Sequence, residues 1–148
     1  MDDEYIWALS GLGQIYLQKE DFDNAEIVYH KILSTDSSLH PNINLGIVYA
    51  CKKDQEKTKY YFGQALSLIE ARLLQSSKNK WSMPYKIVAL AGLSRFEEAY
   101  ELCLQIRTDN IFPPTILSIT DRLNVLYKGT KDDRIKKIMK IFDTHEPV

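Results

Sequence analysis

The sequence is poor in cysteine, glycine and proline, and it has almost no net charge. Of its 148 residues, two are cysteine, six glycine and five proline, and the formal net charge is -1. Cys51 and Cys103 lie far apart without a CxxC pairing, which argues against a disulfide framework and a cysteine zinc site. A nucleic-acid binder needs clustered Lys and Arg to neutralise phosphates, and the near-neutral charge lacks that signature. Lys52, Lys53, Lys57 and Lys59 cluster around one turn, but without interleaved exposed aromatic residues they make a weak nucleic-acid site. We therefore expect no nucleic-acid partner.

Long apolar stretches are absent as well. No run reaches the roughly 18 apolar residues of a membrane-spanning helix. The chain opens with Met1-Asp2-Asp3-Glu4 rather than with basic residues and an apolar segment, so a secretory signal is not expected either. The sequence predicts a cytoplasmic protein without membrane partners.

Motifs that carry catalysis or hold a cofactor are missing too. His30, His40 and His145 stand apart from one another and form no HExxH motif, so no metal site is predicted. There is no glycine-rich phosphate loop, nucleophile elbow or kinase signature. We expect a protein that is not an enzyme and that uses no cofactor.

What the sequence does contain is helical periodicity. Apolar residues recur at every third or fourth position, and no segment alternates with the period of two that a half-buried strand requires. These features predict an all-α fold, with Gly129 ending the seventh helix in the usual position for a C-terminal glycine. The predicted helices cover about residues 4–18, 22–33, 41–51, 55–74, 84–93, 95–107, 113–128 and 132–142.

An internal repeat organises these helices into pairs. The motif Leu12-Gly13-x-x-Tyr16 recurs as Leu45-Gly46-x-x-Tyr49, and the same offset aligns Tyr29 with Phe62 on the helix that follows. A glycine on the first helix lets the second helix approach closely, because no Cβ stands between them. The aromatic residue of the second helix then fills the space towards the next hairpin. The sequence therefore predicts at least two equivalent helical hairpins.

This pattern resembles the tetratricopeptide repeat, whose period is about 34 residues. The resemblance implies an alpha-alpha superhelix, a solenoid of about three hairpins closed by a capping helix pair. On this basis the chain is one domain, with repeat one at about 6–38, repeat two at 39–77 and a degenerate repeat three at 81–108, anchored by Phe96-Glu97-Glu98-Ala99. A helical cap at 113–143 would cover the last apolar face.

Members of that family are scaffolds that bind a peptide or helix of a partner protein in a concave groove, lined mainly by the first helix of each hairpin. The corresponding partner-binding positions in this sequence are Trp7, Ser10, Gln14, Leu17, Gln18, His40, Ile43, Asn44, Ile47, Cys51, Trp81 and Tyr85. Family members that hold the acidic tails of chaperones place Lys, Arg and Asn in this groove, whereas here only Asn44 matches and no cation is present. We expect no binding of such tails, and a groove suited to a helix or an extended apolar segment.

Two alternatives remain open at this stage. The second half is similar to the C-terminal ends of tetratricopeptide regions attached to bacterial regulators and cyclases, so the chain could be the regulatory or sensory region of a larger signalling or transcription regulator. An RNA-binding helical repeat of the pentatricopeptide kind would need basic groove positions and a different period. The apolar start Tyr5-Ile6-Trp7-Ala8-Leu9 further predicts either a preceding repeat or a homo-oligomer formed through the N-terminal hairpin.

Overall fold

The structure, a computed structural model, describes residues 3–35, 38–76, 82–108 and 113–143. Within these ranges the chain forms helices and no strands, so the all-α prediction is confirmed. The helices are α1 (Asp3–Gln18), α2 (Phe22–Leu33), α3 (Leu39–Cys51), α4 (Gln55–Gln75), α5 (Met83–Gly92), α6 (Phe96–Thr108), α7 (Pro113–Thr130) and α8 (Asp133–Asp143).

Most helices pack against the helix that precedes or follows them. Contacts join α1 with α2, α3 with α4, α5 with α6 and α7 with α8. The first pair meets the second through α2 and α3, the second meets the third through α4 and α5, and the third meets the fourth through α5 with α7 and α6 with α8. The first helices of successive pairs touch as well, α1 with α3 and α3 with α5. Their buried apolar side chains form a single hydrophobic cluster, which stabilises the fold because it removes this surface from water.

Three of the turns within helix pairs share one backbone geometry. Glu20, Lys53 and Ser94 adopt left-handed conformations, with φ of 61°, 65° and 62°. In each turn this residue donates its amide to the carbonyl three positions earlier, and the next residue donates to the carbonyl five positions earlier. This is the Schellman arrangement that satisfies the last carbonyls of a helix. Asp21 and Asp54 then cap the following helix through their side chains, so the turn and the cap are repeated together.

Two glycines of the repeat lie directly beneath aromatic rings. A Cβ on Gly13 would stand 2.8 Å from the ring of Tyr29, and a Cβ on Gly46 would stand 2.8 Å from the ring of Phe62. Both rings are buried. Phe62 also meets Gly92 at the end of α5, so one aromatic side chain joins two hairpins. The close approach of α1 to α2 and of α3 to α4 thus depends on glycine at equivalent positions of the two repeats.

A polar cluster joins the first hairpin to the second. The Tyr49 hydroxyl donates to Glu26 at 2.6 Å and lies 2.9 Å from His30 Nε2, while Lys52 bonds to Glu26 and to Asp23. Burial alone would raise the pKa of Glu26, but the hydrogen bonds from Lys52 and Tyr49 outweigh it and lower that pKa. The charged form of Glu26 is therefore favoured where α2 meets α3.

The prediction that Gly129 ends α7 was wrong. The helix continues to Thr130, and the left-handed residue after it is Lys131, with φ of 59°. Gly129 instead lies against Cys51 of α3, where a Cβ would collide with the Cys51 sulfur. The Lys53 ammonium group donates to the Gly129 carbonyl. The glycine thus permits close packing of α7 on α3, and α7 also contacts α5.

Candidate functional site

Helix α7 covers part of the surface that the sequence assigned to a partner. It packs on α3 and α5, which carry many of the predicted groove residues. Ile43 and Ile47 are completely buried, and Leu17 is 3% exposed. These three side chains belong to the core in this conformation, so they have no surface to offer a partner.

Other predicted residues make contacts with α7 itself. The Tyr85 hydroxyl donates to Ser118 of α7 at 3.5 Å, and Tyr85 is 8% exposed. Cys51 is half-buried and lies beside Gly129; burial raises the pKa of its thiol to about 11. Of the remaining predicted partner-binding residues, Gln18 of α1 is exposed, and Trp81 lies outside the described residues. The chain therefore fills the α3 and α5 side of the predicted groove with its own helix.

The part of the groove that stays open is a cleft of about 390 Å³ between α1, α2, α3 and α7. This volume falls within the usual range of ligand clefts, roughly 300–1,000 Å³. Five of the predicted partner-binding residues line it. The full lining consists of Ile6, Trp7, Ser10, Gln14, Tyr29, Ile32, Ser38, His40, Pro41, Asn44 and Arg122. We call this space the α1–α7 cleft.

A buried arginine stands in the α1–α7 cleft. Arg122 is 7% exposed; its Nε donates to Asn44 Oδ1 at 2.9 Å and its Nη1 donates to the hydroxyl and carbonyl of Ser118. In the part of the chain that the structure describes, no carboxylate forms an ion pair with it; Asp121, the preceding residue of α7, acts only through its charge. Burial lowers the pKa of Arg122, but guanidinium remains protonated in proteins. The cleft thus contains a cation with no counter-ion among the described residues.

The hydroxyl of Tyr29 also lacks a partner. Tyr29 is 2% exposed, and its oxygen makes no hydrogen bond within the described residues. Burial raises the pKa of this phenol, so it is neutral and keeps its proton as a donor. A buried hydroxyl without a partner costs about 1–3 kcal/mol.

His40 contributes an uncharged ring to the same cleft. Burial, together with the charges of Arg122 and Arg72, lowers the pKa of His40 to about 4. Its ring meets Tyr85 edge-on, with 4.7 Å between the ring centroids. Near neutral pH Arg122 is therefore the positive charge of the cleft, and His40 supplies shape and hydrogen bonding.

The sequence analysis named neither Arg122 nor the buried hydroxyl of Tyr29 that has no hydrogen-bond partner among the described residues. The expectation of a groove without a cation was wrong, because Arg122 comes from α7, outside the repeats that the groove positions were taken from. One signal was present: Arg122 falls within the buried stripe of α7 that includes Ile119, Leu123 and Leu126. A charged residue in such a stripe needs a buried partner or a ligand.

Comparisons with models of known protein families, with curated proteins and with solved structures found no match for this chain. The tetratricopeptide resemblance consequently stays a prediction from the repeat motif, and the site is argued from its own residues.

Other kinds of site find less support in the described ranges. No three His, Cys, Asp or Glu side chains there come together as metal ligands, and no helix there is long and apolar enough to cross a membrane. A larger concavity of about 560 Å³ lies among the turns beside α3, α5 and α7. None of its lining residues has a buried side-chain polar atom without a hydrogen bond, so it shows less need of a ligand than the α1–α7 cleft.

Proposed function

We propose that this chain is a non-enzymatic protein-interaction module of the tetratricopeptide type, a solenoid of helical hairpins that holds a short segment of a partner protein in the α1–α7 cleft. The repeat geometry supports this: Gly13 with Tyr29, and Gly46 with Phe62, make the same contact in successive hairpins. The shared turn geometry at Glu20, Lys53 and Ser94 supports it as well.

The observation that carries the proposal is an exposed tryptophan at the edge of a cleft with a polar floor. Trp7 is 79% exposed and lines the same space as the buried Asn44 and Arg122. A large aromatic side chain left in water is unfavourable by itself but common at binding sites, where Trp often provides much of the binding free energy. Polar groups on the floor would give direction and specificity to a segment packed against Trp7.

The position of α7 restricts what can bind. Because α7 packs on α3 and α5, a partner helix lying along the whole row of first helices would have to displace it. A short extended segment or a chain terminus fits the remaining cleft instead. The sequence allowed either a helix or an extended apolar segment as the ligand, and the position of α7 favours the extended segment.

Selection from a library of random peptides tests the proposal. Wild type is compared with Ser10→Trp, which places a bulky side chain in the cleft, and with Ser67→Trp, the same substitution at an exposed position of α4 that does not line the cleft. We expect peptides enriched on wild type to bind Ser67→Trp equally well and Ser10→Trp at least about tenfold more weakly. An equal loss of peptide affinity in both variants, or no loss of affinity in either, would place the binding surface elsewhere.

Self-association through the first hairpin stays a separate prediction. Apolar side chains exposed on α1 and α2 are compatible with it, namely Tyr5, Leu12, Ile15 and Ile27. Sedimentation of the protein over a range of concentrations would detect it.

A further inference from the structure

Helix α1 has an apolar face that is open to water. Its residues follow one another at intervals of three and four positions, which place them on one side of the helix: Tyr5, Ala8, Leu12 and Ile15. All four are exposed, and Tyr5 and Ile15 keep about half of their surface, 47% and 51%. Another side of α1 packs into the hydrophobic cluster, through Ile6, Leu9 and Leu17. We call the exposed face the α1 stripe.

The internal repeat shows that this face is covered elsewhere in the fold. The offset that aligns Leu12 with Leu45 also aligns Ile15 with Val48. Leu45 and Val48 are completely buried, in a helix that contacts both helices of the preceding hairpin. Within the described residues no hairpin precedes α1, so the equivalent side chains there stay in water. The α1 stripe is therefore a packing surface without its packing partner.

We propose that the α1 stripe is the interface of a two-fold dimer, in which α1 packs antiparallel against α1 of a second copy. The spacing of the stripe is that of a coiled-coil seam, in which residues three and four positions apart meet the partner helix. One antiparallel register sets Ala8 opposite Leu12 of the second copy and Tyr5 opposite Ile15. Every layer of this seam is apolar, and the small Ala8 leaves room for the larger leucine.

The charges at the two ends of α1 favour the antiparallel direction. Glu4 stands in the first turn of the helix and Lys19 directly follows its last residue, and both are exposed. In an antiparallel pair Lys19 of each copy comes towards Glu4 of the other, whereas a parallel pair brings like charges together. Complementary charges at the edges of a seam set the orientation of paired helices.

A head-to-tail stack of copies fits the stripe less well. At the other end of the chain, α8 buries its apolar residues, Ile135, Ile138 and Ile141. Its exposed surface is basic, with Arg134, Lys136, Lys137 and Lys140. Covering the α1 stripe with this surface would take ammonium groups out of water without giving them a partner. A surface that pairs with itself avoids this cost and closes after two copies.

The pairing leaves the α1–α7 cleft open. Trp7, Ser10 and Gln14 line the cleft, and their positions on the helix turn them away from the α1 stripe. A dimer would thus carry two open clefts. The inference goes beyond the proposed function, because it does not depend on what binds there.

Sedimentation equilibrium from micromolar to millimolar protein tests the interface. Wild type is compared with Ala8→Glu in the stripe and with Ala71→Glu, the same substitution at an exposed alanine of α4. We expect wild type and Ala71→Glu to form dimers with equal dissociation constants. Ala8→Glu should dimerise at least about tenfold more weakly, because each pair would bury two carboxylates. Dilute samples of the two variants should have the same melting temperature, since both sites are exposed and Glu favours helices.

Cross-linking tests the direction of the helices. Copies with Ala8→Cys are mixed with copies with Leu12→Cys and treated with a short thiol-specific cross-linker. Antiparallel pairing joins the unlike variants, whereas parallel pairing joins each variant with its own kind. Wild type, which keeps Cys51 and Cys103, is the control and should form no such product.

Each other outcome overturns the inference. A protein that stays monomeric throughout, or a dimer that Ala8→Glu weakens no more than Ala71→Glu does, would mean that copies do not pair through the α1 stripe. Growth beyond two copies would show a head-to-tail stack, and cross-links mainly between like variants would exclude the antiparallel direction. In all these cases the peptide selection with Ser10→Trp still decides the proposed function.

Discussion

Asn44 of α3 accepts a 2.9 Å hydrogen bond from Nε of Arg122 of α7, and both residues are buried. The two lie 78 positions apart in the sequence. This bond joins α7 to the second hairpin. Nη1 of Arg122 donates to Ser118, so Nη2 is the guanidinium nitrogen without a hydrogen bond in the described residues. The same contact therefore contributes both to the packing of the chain and to the character of the candidate site.

A double-mutant cycle should measure this bond. We compare wild type, Asn44→Ala, Arg122→Met and the double variant by urea unfolding. Each single variant leaves one buried polar group without its partner, whereas the double variant removes both groups. A hydrogen bond to a charged group contributes about 1.5–3 kcal/mol, so a coupling free energy of that size is expected. Strictly additive losses of stability would mean that the two side chains do not interact.

The glycines of α1 should respond oppositely to alanine. At Gly13 a Cβ would stand 2.8 Å from the Tyr29 ring, so Gly13→Ala should reduce the free energy of unfolding by about 1–3 kcal/mol through overpacking. A Cβ added at Gly11 would meet no packing neighbour within 4 Å. Gly11→Ala should therefore raise the free energy of unfolding by about 0.5–1 kcal/mol, since alanine favours the helix. Thermal unfolding of both variants tests this prediction. A loss of stability in both variants would show that the packing of α1 on α2 is misplaced.

The left-handed turn residue offers a stabilising substitution. Glu20 has φ of 61°, a conformation that costs a side-chain-bearing residue about 1 kcal/mol and costs glycine little. Glu20→Gly should therefore raise the free energy of unfolding by up to about 1 kcal/mol. The adjacent Lys19 is not left-handed, so Lys19→Gly should instead destabilise. Chemical denaturation of the two variants measures these changes, and a lower free energy of unfolding for Glu20→Gly would contradict the turn geometry.

His40 should make stability depend on pH. Its pKa is lowered to about 4 by burial and by the charges of Arg122 and Arg72, against an unfolded value near 6.5. As pH falls, the unfolded state therefore binds a proton at His40 before the folded state does. The contribution of neutral His40 to the free energy of unfolding is complete above about pH 6.5 and is lost progressively down to about pH 4, by about 3 kcal/mol at most.

Urea unfolding between pH 7 and pH 5 measures this effect. His40→Phe keeps a ring against Tyr85 but cannot titrate, so its stability should fall less over this range than that of wild type. Identical slopes for the two proteins would exclude His40 as the group responsible.

The sequence predicted the elements well because they depend on local patterns. The bounds of α2, Phe22–Leu33, agree with the periodicity, since Asp21 caps the start and the apolar stripe stops at Leu33. The repeat spacing predicted that the glycine of the first helix lets the second helix approach closely. It did not predict that the rings of Tyr29 and Phe62 lie against Gly13 and Gly46, because the aromatic residues were assigned to the space towards the next hairpin.

The candidate site was harder to predict because it depends on contacts between distant segments. A lone arginine in a helix such as α7 normally projects into solvent, and nothing near Arg122 in sequence indicates that Asn44 is its partner. Gly129 was misassigned for the same reason, because its neighbour Cys51 lies far away in the chain. The residue with the left-handed conformation at the end of α7 is Lys131. The fold follows from periodicity, whereas the cleft follows from where α7 packs.

The most direct test of the central claim, that a partner segment binds in the α1–α7 cleft, is to map the binding of a library-selected peptide by amide chemical shifts. We predict saturable shifts for Ser10, Gln14 and His40 and for the indole N–H of Trp7, while Gln64 and Ser67 of α4 stay unchanged. Shifts confined to α4, α6 or α8, with the cleft signals unmoved, would contradict the account.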